Sequence, residues 1–370
     1  MRKLDFYTSH FILLSLIVIS FLNLSLLSKK SNISISSSFY YPINDTLNHE
    51  ATMLQKYLAR YNEIAKMGSF QKIKNIHLKI ALGDTSSAVR IIKNNLFLLG
   101  DMKLNNNSNK FDSSLYDAII SFQERHGMKL TGKISSNLIV ELNRPIQSII
   151  DQIKRNIDRI NKINTQQYEN IFIVNIPEFI LHVYENGQIK FNIKVIVGKS
   201  ITPTVSFNDD VEYIVFSPYW NIPNSILTKE IIPMIKKNAN YLKSHNMEWV
   251  GDKLRQRPGP DNPLGLIKFL FPNQYNIYLH DTPIKSLFNQ EIRTFSHGCI
   301  RIEEAKKLAL YILRNDSNLK EDKINEMMNK KVERFVPLKN PIPIRITYYT
   351  AWVNYKGQLE LRKDIYHKDS

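Results

Sequence analysis

Apolar residues repeat at two different periods along this chain, and the change of period divides it. Val89, Ile92, Leu96 and Leu99 are spaced by three and four, and Gly100 follows. That spacing predicts one buried helical face, closed by a residue that tolerates a left-handed backbone. Leu115, Ala118, Ile119 and Phe122 predict a second helix, with Asp112 or Ser113 as its N-cap. Leu138 and Leu142 mark a third, short one, and Gly127 and Gly132 suit the tight turns between them. Upstream, Leu54, Leu58 and Tyr61 share a face of a helix over 50–67. Downstream, Ile146, Ile149, Ile150, Ile153, Ile157 and Ile160 form a long stripe, with Lys154, Arg155, Arg159 and Lys162 off it. Such a stripe predicts an amphipathic connecting helix packed on a neighbour.

Near Asn170 the period becomes two. Phe179, Leu181 and Val183 alternate with outward positions, as do Ile189, Phe191, Ile193, Val195 and Val197. Asn186-Gly187 between these runs predicts a hairpin, because both residues tolerate positive φ. Further strands are expected over 211–216, 276–280, 342–353 and 358–361. Many short strands and few helices argue for an antiparallel β-sandwich. An irregular insertion, 224–274, interrupts them. It opens on an apolar helical run, 226–235, broken by Pro233, and ends in the proline-rich stretch 257–265. Insertions of this length tend to be lids or binding loops. Trp220, just before it, is either a cleft wall or a core residue.

Charge and cysteine content narrow the function. Lys and Arg number 50 against 34 Asp and Glu, a formal net charge of +16. The charge is spread, with no dense basic run interleaved with aromatics, so nucleic acid is not expected and an anionic envelope is. Arg2 and Lys3 precede an apolar stretch, 11–27, followed by Lys29 and Lys30. This reads as an export signal, either cleaved or kept as an anchor, and membrane contact is expected through it alone. The only cysteine, Cys299, rules out an intramolecular disulfide and a cysteine-rich zinc finger.

That thiol has bases near it. His297 lies two residues before it, and His280 ends the expected strand over 276–280. A free thiol, with a pKa of about 8.5, is mostly protonated at neutral pH and needs a base to attack. Ser296-His297-Gly298-Cys299 offers turn N–H groups to an oxyanion, and Arg301 offers a fork to a carboxylate. Glu303 and Glu304 open a helix whose N-terminus would also favour a thiolate. His297 stands either as a turn-positioning residue or as a second base. His280, His297 and Cys299 have the ligand types of a zinc site, but no carboxylate or further cysteine joins them, so no metal is expected. A papain-like protease would place its histidine after its cysteine, and here the order is reversed.

His280 with Ser296-His297-Gly298-Cys299 resembles the signature of the L,D-transpeptidase catalytic domain. Phe122-Gln123, His126-Gly127 and Thr131-Gly132-Lys133 resemble the core of a three-helix peptidoglycan-binding module. By the first resemblance Cys299 is the nucleophile and His280 its proton acceptor and donor, while Ser296, His297 and Gly298 shape the site. Arg301 stands where the broad family commonly carries Asn. With the insertion, this resembles the larger branch that has a helical scaffold and a capping subdomain, and there Tyr278 would serve the oxyanion site. Arg301 and Trp220 would then bind substrate. The implied partners are peptidoglycan stem peptides, with no cofactor, and the implied product is a 3→3 crosslink through a cysteine thioester. L,D-carboxypeptidase or exchange chemistry, and a non-enzymatic wall-binding protein, are the alternatives. The expected class is an α+β multidomain protein of the periplasm or cell envelope. Its layout is an export segment (1–30), a linker and scaffold helix (31–75), the module (76–145), a connecting helix (146–167) and the catalytic domain (168–370).

Overall fold

The computed structural model describes residues 43–75, 77–162 and 168–369; the expected export segment lies outside them. Among the described residues no helix is long and apolar enough to cross a membrane. Among the described residues five helices come first: α1 (Ile43–Met67), α2 (Ser87–Leu99), α3 (Ser113–Arg125), α4 (Ser136–Leu142) and α5 (Ile146–Asn161). Ser86, Asp112 and Ser135 cap α2, α3 and α4, each accepting a bond from a first-turn N–H. Gly100 ends α2 at φ 92°. The apolar stripes meet in one core that includes Leu54, Tyr61, Ile92, Leu96, Leu115, Phe122, Leu138 and Ile153. Each such aliphatic side chain contributes about 1.5–3 kcal/mol on burial.

The motif that suggested the module is turned inward. Gln123 is 1% exposed. Its Oε1 accepts from the N–H groups of Thr131 (2.8 Å) and Gly132 (3.0 Å), and its Nε2 donates to Thr131 Oγ1 (3.0 Å). His126 stacks on Phe122 at 3.8 Å and pairs with Glu141 through Nδ1 at 3.0 Å. A side chain at Gly132 would strike the Tyr116 ring. These residues hold the turns that join α3 to α4.

The second half is built on strands β1 (Asn170–Asn175), β2 (Ile180–Glu185), β3 (Gln188–Gly198), β4 (Phe207–Phe216), β8 (Ile267–Leu270), β9 (Leu279–His280), β10 (Thr294–Ser296), β11 (Ile300–Ile302) and β12 (Arg334–Thr347), numbered with β5–β7 below. Asn186 and Gly187 turn β2 into β3 at φ 50° and 75°, as expected. The antiparallel sandwich needs correction. The nine strands form one mixed sheet, ordered β10-β3-β11-β9-β8-β4-β12-β1-β2, in which β2 also pairs with β3 and so closes it. Three pairs are parallel: β1 with β12, β9 with β11, and β3 with β10. Long β3 closes the sheet because its first part pairs with β2 and its last part with β11. Alternation gives strand existence but not neighbours, so pairing direction was not legible. Pro337, Pro341 and Pro343 lie on β12, and its pairing with β4 breaks between Pro337 and Ile342, where ring nitrogens cannot donate. Core residues such as Phe172, Val195, Ile214, Phe269, Leu279, Ile300 and Ile302 fill one face of the sheet. Helices α6 (Ala305–Ile312) and α7 (Glu321–Asn329) add Leu308, Ala309, Ile324 and Met327 to that core.

The insertion is a small structure of its own. Strands β5 (Trp220–Asn221), β6 (Met247–Val250) and β7 (Lys253–Gln256) pair in the order β5-β7-β6. With the helical stretch over 224–237, they enclose Ile222, Leu227, Ile231 and Leu254. Its expected end at 274 is too late, because β8 already pairs with β4 and β9 in the main sheet.

The chain finally returns to the helices. Hairpin strands β13 (Ala351–Val353) and β14 (Leu359–Leu361) bury Ala351, Leu359 and Leu361 in the helical core, so the expected catalytic domain does not run unbroken to 370. Gln152 Nε2 donates to the carbonyls of Thr350 (2.8 Å) and Arg362 (2.9 Å), and Asn156 Nδ2 donates to Thr350 Oγ1 (2.8 Å).

Candidate active site

Register places the site. Ile300 pairs with Leu279 and Arg301 with His280, in parallel, and Lys268 on β8 faces His280. Leu279 and Ile300 point into the core. Side chains alternate along a strand, so Tyr278, His280, Cys299, Arg301 and Lys268 share the opposite face. The Tyr278 and His280 rings lie 5.7 Å apart, and Lys268 Nζ sits 5.3 Å from the Tyr278 ring centre. Four of these residues were expected here. Lys268 was missed; the alternation of 267–270 carried its signal, but only the strand order places it beside Cys299.

The turn before Cys299 is pinned from within. Ser296 is buried; its Oγ accepts from Gly298 N–H (3.1 Å) and donates to the Cys299 carbonyl (2.5 Å). Ile300 N–H donates to the Tyr278 carbonyl (3.1 Å). Gly298 stands at φ 119°, a left-handed value that favours glycine. One expectation is corrected: β11 lies between Cys299 and α6, so the helix does not begin at the thiol.

His280 is 5% exposed. Its Nδ1 lies 2.6 Å from the Asp281 carbonyl, an acceptor only, so Nδ1 carries the proton and Nε2 the lone pair. Burial, then the charge of Arg301 and those of Lys268 and Lys285, push this imidazole down to about 3. Burial pushes the Cys299 thiol up, although hydrogen bonding by Tyr278 and the charges of Lys268 and Arg301 favour its thiolate. The Cys299 Sγ donates to the Asn276 carbonyl at 3.6 Å. At neutral pH Cys299 is therefore a thiol and His280 a neutral imidazole. Burial and the Cys299 charge push the Tyr278 hydroxyl well up, which keeps it protonated and able to donate.

The remaining candidates sit at the margin. His297 Nε2 lies 2.8 Å from Glu230 Oε1, a link from the turn before Cys299 to the insertion. Sequence reasoning placed His297 but not this partner, which lies 67 residues away. Arg301 keeps a buried Nε without a protein partner, and burial pushes its guanidinium down. Trp220 packs against the apolar cluster of the insertion. Among the described residues no cluster of three His, Cys, Asp or Glu could hold a metal.

Comparison with known proteins gives the same direction. Residues 169–333 match the YkuD family, the L,D-transpeptidase catalytic domain. A Haemophilus influenzae protein provisionally named an L,D-transpeptidase is 30% identical over 243 residues, 60% of this chain and 49% of that protein. The chain thus spans about half the length of this curated relative. Among solved structures, an L,D-transpeptidase from Stackebrandtia nassauensis is 15% identical, with 73% of this chain and 96% of that chain covered and a TM-score of 0.29. One from Mycobacterium smegmatis is also 15% identical, at 48% and 58% coverage and a TM-score of 0.27. Both sequence matches agree with the family named from His280 and the Ser296–Cys299 stretch.

Proposed function

We propose that this chain is a peptidoglycan L,D-transpeptidase that works through a thioester on Cys299. The observation that carries the reading is the shared face of Tyr278, His280, Cys299 and Arg301, outside the core and next to a pinned turn. As Sγ attacks the carbonyl of the third stem residue, its proton passes to His280 Nε2. The oxyanion is met by backbone N–H groups of the Ser296–Cys299 turn and by Tyr278. Collapse breaks the C–N bond to the terminal D-Ala, whose nitrogen takes the proton from His280, leaving the thioester. The side-chain amine of a second stem then attacks the thioester and gives up a proton to His280, and the 3→3 amide forms with the thiol restored.

Arg301, with its unpartnered Nε, clamps a stem carboxylate. The insertion caps the cleft, tethered through Glu230 and His297 and walled by Trp220 at its base. The site lies at the cell envelope, where the apolar segment 11–27 exports the chain. Muropeptide analysis of sacculi incubated with the full chain and with Cys299→Ala tests the reading. A 3→3 dimer that depends on Cys299 is expected. Tripeptide alone would mean water as acceptor, a carboxypeptidase; no Cys299-dependent product would overturn acyl transfer.

A further inference from the structure

We propose that Thr204, in the loop between β3 and β4, is a positioning residue that aims the Cys299 N–H at the reacting carbonyl. The inference rests on the acyl-transfer reading above. Thr204 is fully buried, and its hydroxyl touches two backbone groups. Gly198 N–H donates to Oγ1 at 2.9 Å, and Oγ1 lies 2.8 Å from the Gly298 carbonyl. A hydroxyl has one proton and an amide N–H can only donate, so that proton goes to Gly298 O. The peptide is planar and trans, so its C=O and N–H point opposite ways. Fixing the Gly298 carbonyl therefore fixes the Cys299 N–H that belongs to the same peptide.

The peptide on the far side of Cys299 is held by Ser296 Oγ at its carbonyl and by Tyr278 O at Ile300 N–H. Thr204 supplies the matching restraint on the near side. Its loop is itself held in place. Thr204 N–H donates to Tyr366 Oη at 3.2 Å, and that hydroxyl donates to the Gly198 carbonyl at 2.7 Å. A Cβ at Gly198 would come 2.1 Å from the Thr202 carbonyl, so the loop lies directly on the end of β3. Neither Thr204 nor Tyr366 is near Cys299 in sequence, and neither belongs to the motif.

Two reactions of the same thiol separate aim from integrity. Acylation by imipenem passes through a tetrahedral oxyanion; alkylation by iodoacetamide does not. In the full chain, Thr204→Val keeps the shape and removes the proton donor. It is expected to slow acylation by about 10- to 100-fold and leave alkylation within about 2-fold, with Thr204→Ser restoring acylation. Tyr366→Phe loosens the loop but keeps the Thr204 hydroxyl, so at a comparable loss of melting temperature it should slow acylation less than Thr204→Val. Wild-type acylation by Thr204→Val, equal falls in both reactions, no rescue by Ser, or an equal loss with Tyr366→Phe would each overturn the assignment. If the wild type itself is not acylated at Cys299, the acyl-transfer reading fails instead.

Discussion

Cys299 rests as a thiol and His280 as a neutral imidazole, and under the proposed acyl transfer that sets the pH dependence. His280 takes a proton only near pH 3 and the thiol keeps its own above the usual range. Deprotonated imidazole is the form that can accept a proton, so the proposed base is present throughout neutral and mildly acidic pH and is lost only as pH falls towards 3. The rate of Cys299 acylation by imipenem, followed by stopped flow, is therefore expected to stay flat from pH 5 to 8. An acid limb centred near the ordinary histidine value, about 6.5, would point to a preformed thiolate–imidazolium pair instead. Gly298 gives a second check at this scale. A Cβ there would meet nothing closer than the Pro203 carbonyl at 3.9 Å, so only the backbone angle resists it. Gly298→Ala should cost about 1–2 kcal/mol in a thermal melt and slow acylation as the turn shifts. The motif residues were legible because strand alternation and spacing put them on one face. Lys268 and Thr204 were not, because their places depend on which strands neighbour each other.

At the scale of elements, buried polar groups hold the helices more specifically than the apolar stripes do. Arg125 on α3 makes two bonds of 2.5 Å to Asp101, and both side chains are almost fully buried. Arg125 Nη1 also reaches the Leu359 carbonyl on β14 at 3.4 Å. Asp101→Asn leaves a buried guanidinium unpaired, and chemical denaturation should register a loss of about 3–5 kcal/mol. Gln123→Ala leaves the Thr131 and Gly132 N–H groups without their acceptor and should cost about 2–3 kcal/mol by the same measurement. Helix periods and caps could be read from the chain because they are local. Gln123, His126 and Gly132 were read as part of a binding module; their contacts show what they do for the fold. The partner of Arg125 could not be read, since nothing local ties Asp101 to it.

For the whole molecule, residues 351–369 join what the helical half and the strand half build. Ala351, Leu359 and Leu361 complete the helical core, while Tyr366 bonds to Gly198 and Thr204 in the loop that reaches Gly298. Truncation after Thr347 should therefore make α1–α5 sensitive to limited proteolysis and also lower Cys299 acylation, though it removes no motif residue. The return of the hairpin to the helices was illegible in its alternation, which fits either half equally well. The central claim concerns one atom, Cys299 Sγ, and intact-protein mass spectrometry with peptide mapping tests it most directly. After brief incubation with a disaccharide-tetrapeptide stem, the full chain should gain the mass of the stem less its terminal D-Ala, mapped to Cys299 and missing from Cys299→Ala. An unmodified wild type that nonetheless turns over the stem, or an adduct that persists in Cys299→Ala, would contradict it.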